Sequence, residues 1–152
     1  MTLPPRLIAG ATAAIAFTLA LVAHSLWPEG ERRRVPWTDL SSRVGSLTIA
    51  RQTERVFRER QPFGAHVRGA GGTAPAVDFE QRQVLLVSPG PRSSTGYAVD
   101  VVSVTERDGA FDVAVRERTP GVGERVEPRV TFPYRLISLP AGKDVYVVWR
   151  GR

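Results

Sequence analysis

The sequence predicts an α+β domain, mainly antiparallel β, preceded by one N-terminal transmembrane helix. The β part would be a small sandwich or open barrel with one helix packed on it. Three observations carry this. From Leu7 to Trp27 the chain holds no Asp, Glu, Lys or Arg. From about Ala76 onward, short apolar stretches alternate with polar residues at period two, separated by Pro and Gly turns. Between the two, only one stretch reads as a helix. Residues 28–152 are left for the domain, room for one core of modest size and too few for two.

Residues 1–6 form a leader. The run from Leu7 to Trp27 spans roughly 31 Å as a helix, the thickness of a bilayer core. Trp27 and Trp37 suit a membrane interface, and Pro28 with Gly30 stops the helix. The length favours an uncleaved anchor over a cleaved signal peptide, for which Ala23-His24-Ser25 would be the cleavage site. Residues 28–36 read as a linker and residues 37–152 as the folded domain.

Within the domain, Leu47 to Ile49 reads as a short strand. Thr53 to Arg60 reads as the helix, with Thr53 as N-cap, Val56 and Phe57 as its apolar face, and Pro62 ending it. Residues 64–75, with Gly69, Gly71 and Gly72, read as a flexible loop. Val84 to Val87 is a buried-type strand, followed by a turn-rich loop from Pro89 to Gly96. Tyr97 to Thr105 is a strand with Tyr97, Val99 and Val101 on one face. Val102 and Val104 fall on the other, which demands cover on both faces or a bulge. Asp108-Gly109 makes a hairpin turn into the alternation of Phe111, Val113 and Val115. After a Pro/Gly loop, Val126 to Phe132 and Tyr134 to Leu139 read as strands separated by Pro133. Val145 to Trp149 is a last strand. The crossover helices of a parallel sheet are missing.

Composition narrows the chemistry. Hydrophobic content of 42% and charged content of 24% are globular values. The absence of cysteine excludes disulfide scaffolds, thiolate metal sites, thiol catalysis and a lipidated cysteine. The absence of Asn excludes N-glycosylation. Net charge is +6, but the arginines are interleaved with acids, whereas a nucleic-acid footprint needs clustering. His24 and His66 are separated by the membrane boundary, too few and too far apart for a metal site. No G-x-S-x-G elbow accompanies Ser93, Ser94 or Ser103. The stretch from Gly90 to Gly96 has five residues between its glycines and Tyr97 after them, so it is no P-loop. The carboxylates, among them Asp100, Asp112 and Glu117, are expected on solvated faces opposite arginines. No catalytic, metal or cofactor residue is therefore assigned, and the chain reads as no enzyme. Arg92, Gly96 and Tyr97 are the candidate contacts to a partner or ligand. Gly96 is expected at positive φ, and Arg92 is expected exposed, without a buried partner.

The stretches APAVDFEQRQVLLVSPGPRSSTGYAVDVVSV, RERTPGVG and VTFPYRLISLP resemble the PrcB C-terminal domain family, a subunit associated with an exported bacterial protease complex, over roughly residues 75–140. The residues that carry the resemblance are Asp78-Phe79, Gly90, Gly96-Tyr97, Pro120-Gly121 and Pro133-Tyr134. Family members usually have two glycines before the tyrosine, where this chain has Thr95-Gly96. The resemblance implies a non-catalytic role: binding or stabilising another exported protein, possibly a protease. Phe79 and Tyr134 would then be core aromatics, and the glycines and prolines turn formers. It also implies a domain outside the cytoplasm. The flanking charges oppose that orientation, with Arg32, Arg33 and Arg34 after the apolar run against Arg6 before it. The alternative is a small-ligand or envelope-polymer binding domain built on the Gly90 to Gly96 loop.

Overall fold

The computed structural model describes residues 32–151. The leader and the apolar run from Leu7 to Trp27 lie outside the described residues. Among those described, no helix is long and apolar enough to cross a membrane.

Val84 to Val87 is apolar on both faces of a strand, so it needs cover on both sides. The fold provides this with two four-stranded sheets and a helical layer. The first sheet holds β1 (Arg33–Arg34), β5 (Ala98–Arg107), β6 (Ala110–Arg118) and β8 (Val145–Arg150), in the order β1-β5-β6-β8. The second holds β2 (Thr38–Asp39), β3 (Thr53–Phe57), β4 (Arg82–Ser88) and β7 (Arg135–Pro140), in the order β2-β7-β4-β3. Two helices, α1 (Ser41–Val44) and α2 (Arg60–Gly69), complete the described elements.

Alternation along β4 and β7 separates two cores. Leu85, Val87, Ile137 and Leu139 meet Val99, Val104, Phe111, Val113 and Val115 of the first sheet, and Val145, Val147 and Trp149 pack against this cluster. Val84, Leu86 and Leu136 point the other way, onto Phe63 and Val67 of α2 and Val44 of α1. Each of Val84 to Val87 is at most 1% exposed. At roughly 1.5–3 kcal/mol per buried aliphatic side chain, this strand is the main apolar anchor of the domain. Buried polar groups are paired. Gln83 donates from Nε2 to the carbonyls of Pro140 and Lys143, both at 2.9 Å, and Ser88 donates from Oγ to the Pro133 carbonyl at 2.8 Å.

The alternation conflict in β5 is resolved by a bulge. Val101 pairs with Val115 and Ser103 with Ala114, leaving Val102 as the extra residue. Val99 and Val101 therefore face the core before it, and Val104 after it. The Asp108-Gly109 turn is confirmed, with φ of 52° and 79°, the positive pair of a type I′ hairpin.

Several expectations are corrected. Thr53–Phe57 is a strand, paired with β4 from Thr53↔Ser88 to Phe57↔Val84, so Thr53 caps no helix. Two adjacent apolar residues do not distinguish helix from strand, and pairing with β4 decides. The packed helix is α2. Pro62 sits in its first turn, where a missing N–H loses no helical bond. Phe63 and Val67, four apart, supply its buried face. Its end is a Schellman motif: Gly72 N–H donates to the Val67 carbonyl at 2.9 Å and Gly71 N–H to that of Arg68 at 3.0 Å. Gly71 takes the required positive φ of 92°. The segment expected as a loop from residue 64 is thus helical through Gly69. The span expected as a linker up to Pro36 contributes β1 and the buried Val35. Val126 to Phe132 is loop, not strand, apart from a single bridge between Arg92 and Thr131. One pair, β6 with β8, is parallel. The chain reaches it by passing through β7 of the other sheet, which takes the place of a crossover helix.

Candidate functional site

Two loops leave the same end of the sandwich, residues 89–97 between β4 and β5 and residues 119–134 between β6 and β7. Their backbones are latched together. Arg92 N–H donates to the Thr131 carbonyl at 2.8 Å and Thr131 N–H to that of Arg92 at 2.9 Å. Thr95 N–H donates to the Glu127 carbonyl at 3.1 Å, Glu127 N–H to the Thr95 hydroxyl at 2.9 Å, and the Thr131 hydroxyl to the Ser94 carbonyl at 2.8 Å.

Gly96 sits where the loops touch. Its φ is +93°, as the sequence predicts, and a Cβ there would lie 2.9 Å from Cγ of Pro120 and 3.1 Å from Cγ1 of Val126. Gly90 has a φ of +87°, and a Cβ would come within 3.0 Å of the Gln52 amide nitrogen. Both positions need glycine for conformation and for space.

Arg92 is not the free loop cation expected. Its Nη2 donates to Oε2 of Glu117 at 2.9 Å, and its Nε donates to Oε1 of the same carboxylate. Nη1 donates to the carbonyls of Pro89 at 3.1 Å and Pro91 at 2.9 Å. The guanidinium carbon lies 5.9 Å from the centre of the Tyr97 ring. Side-chain exposure is 22% for Arg92 and 8% for Glu117, so this fork-to-fork pair is largely removed from water. The hydrogen bond with Glu117, outweighing burial, holds the guanidinium above its ordinary pKa. Glu117 was expected on a solvated face. Parity contradicts that: it continues the inward series Phe111, Val113, Val115, and an inward carboxylate needs a cation.

The braced loop presents apolar side chains to solvent. Val122, Val126 and Val130 are 111%, 37% and 65% exposed. The sequence places Val126 and Val130 in a strand and Val122 in the Pro/Gly loop before it, and nothing in it marks the three as one exposed apolar set. A cleft of about 290 Å³ lies beside the brace, walled by Gln52, Pro89, Arg92, Glu117, Trp149 and Arg150. Its Arg92 is committed to Glu117, and the Trp149 indole donates to Glu54 at 2.6 Å. Its walls carry no histidine or hydroxyl nucleophile. Among the described residues, no group of three or more His, Cys, Asp or Glu is placed to hold a metal ion.

The residues of the family pattern separate into two sets. Gly90, Gly96, Tyr97, Pro120, Gly121 and Pro133 all belong to the latched loops. Asp78, Phe79 and Tyr134 serve the helical layer. Asp78 Oδ1 accepts from Glu80 N–H at 3.1 Å, closing the turn before β4. The Phe79 ring lies 5.6 Å from that of Phe63. The Tyr134 hydroxyl lies between the carbonyls of Ser41, at 3.0 Å, and Gly45. Burial first, and then the nearby Asp39, push the Tyr134 phenol up, which keeps its donor proton. His66 is in α2 and not in a loop. Its Nδ1 is 3.4 Å from Nη1 of Arg55 and its ring is 5.2 Å from that of Phe57.

No curated protein and no solved structure matches the chain. The loops and strands just described fall within the stretch that a family model does match: residues 83–140 fit the family described as PrcB C-terminal, and the chain is similar to that family over this stretch.

Proposed function

We propose that the chain is a membrane-anchored, non-catalytic module that binds or stabilises another exported protein, with the loop of residues 119–131 as its contact. The observation that carries this is the set of exposed valines on a loop whose base is held rigid. Solvent-exposed apolar side chains on a preorganised loop lose little conformational freedom on binding, so their burial translates efficiently into affinity. The similarity to a protease-associated family supports a protein partner, and an exported protease is the partner it implies. The anchor is the apolar run from Leu7 to Trp27, with the domain on the extracytoplasmic side. The alternative, a small ligand or envelope polymer held by the Gly90 to Gly96 loop, needs a free Arg92, and Arg92 is spent on Glu117.

Co-purification from a detergent extract of native membranes tests the proposal. The wild-type chain should retain a stoichiometric protein partner. Val122→Asp with Val130→Asp should retain at least tenfold less, because burying each valine contributes about 1.5 kcal/mol. The melting temperature should not move, since both side chains face solvent. Undiminished capture by the double variant would remove the loop from the interface, and repeated absence of any stoichiometric partner would refute the function itself.

A further inference from the structure

The outer face of the second sheet is covered by α1 and α2, but among the described residues nothing covers the outer face of the first. Its centre is small and apolar. Val102, placed there by the bulge, is 53% exposed, and Tyr146 and Val148 of β8 are 58% and 42% exposed. Arginines stand at both ends of this centre. Arg107 is 3.4 Å from Asp112 and Arg116 is 3.9 Å from Asp100, so the two acids of the face are matched. Arg32, Arg118 and Arg150 have no carboxylate partner among the described residues. Arg32 and Arg150 wall one shallow depression of about 270 Å³ with Ser103, Thr105 and Val148.

We propose that this face docks on an anionic phospholipid surface, with Val102, Tyr146 and Val148 at headgroup depth and the unmatched arginines on phosphates. Charge complementarity selects the occupant, because the face carries surplus arginine around an apolar centre and an aromatic that suits an interface. Chain length supports it. On the anchor reading made above, on which this inference partly rests, the apolar run ends at Trp27, five residues before Arg32. Five extended residues reach about 17 Å, so the β1 edge of this face stays close to the bilayer. Juxtamembrane arginines contribute about a fivefold gain in surface association each.

The chain has no cysteine, so single probes can be placed on it. The full chain is labelled with an environment-sensitive fluorophore at Val102→Cys or, as a control, at Ala65→Cys on the exposed side of α2. Each is mixed with phosphatidylcholine vesicles, with or without 30% phosphatidylglycerol. The probe at 102 should shift to the blue only with the anionic vesicles, and the probe at 65 should not respond. Changing Arg32, Arg118 and Arg150 together to Gln should weaken the response about 100-fold, and half-molar salt should abolish it. Flotation with the neutral vesicles reports the anchor separately. Flotation with both vesicle types while the probe at 102 stays silent leaves the anchor standing and overturns the docking face. Flotation only with anionic vesicles, with the probe responding, removes the anchor and keeps the face. A blue shift that rises with protein concentration without lipid identifies a second copy as the occupant, which also overturns the proposal.

Discussion

Replacing Arg92 by Ala takes two charged donors from a carboxylate that the fold has turned inward. Glu117 would keep its place among the inward residues of β6 with 8% of its side chain exposed, and lose both donors of the fork. The carbonyls of Pro89 and Pro91 would lose their donor as well. Breaking a buried ion pair from one side costs about 3–5 kcal/mol. The pair lies at the domain's end, with 22% of Arg92 exposed, so water reaches it in part and the cost falls to the bottom of that range or just below it. We expect a loss of about 2–3 kcal/mol, a large share of a small domain's stability. For a domain of this size that is a fall in melting temperature of roughly 6–12 °C. The assay is urea unfolding of the wild type, Arg92→Ala, Glu117→Gln and the double variant. The cycle should return a coupling of about 1–3 kcal/mol, because the groups share one network. A thermally silent Arg92→Ala, or costs that simply add, would refute the account of Arg92 as the brace of the loops.

Two further outcomes follow from the same geometry. Gly96→Val places a β-branched side chain at a φ of +93° and a Cβ 2.9 Å from Pro120, so it should destabilise by about 1–3 kcal/mol or more in thermal melts; a melting temperature within a degree of wild type would contradict the strain argument. Burial first, and then Arg55, hold the His66 imidazole below its ordinary pKa, so the fold disfavours its protonated form. Stability should therefore be full above the ordinary imidazole value and decline as pH falls through it towards the lower folded-state value. His66→Gln should flatten that part of a denaturation series run from pH 7.5 to 5, and an unchanged slope would show that other groups carry it.

Period-two alternation was legible because it records which face is buried; it located β5, β6 and β8 and demanded either cover on both faces or a bulge near Val102, while the continuous apolar run Val84 to Val87 located β4. Turn chemistry was equally legible at Asp108-Gly109 and at Gly96, where positive φ leaves few residue types. Thr53–Phe57 was misread because its two apolar residues fit either period and its strand state is imposed by β4. Pro62 misled because proline ends a helix in the interior and is tolerated in the first turn. At the candidate site, the positive φ of Gly96 was legible from its loop. The role of Arg92 was not, because Glu117 lies 25 residues further on and its partner cannot be named without the fold. The parity of Glu117 within β6 was the one clue available.

The two hydrophobic cores are not independent, because β4 and β7 belong to both. Leu85 and Ile137 serve the core between the sheets, while Leu86 and Leu136, their immediate neighbours, serve the helical layer. Peeling α2 away would wet one side of the strands whose other side holds the sheets together, so a partial opening exposes apolar surface without releasing much chain. Such an opening gains little entropy against a large hydration penalty. The amides of β4 and β7 should then exchange with solvent only when the whole domain opens, whereas the exposed tip of the 119–131 loop, beyond its latch, exchanges locally. A chain built this way separates its tasks in time as well as in space: a centre that exchanges only on global opening, and a latched loop whose exposed tip exchanges locally while its base stays fixed.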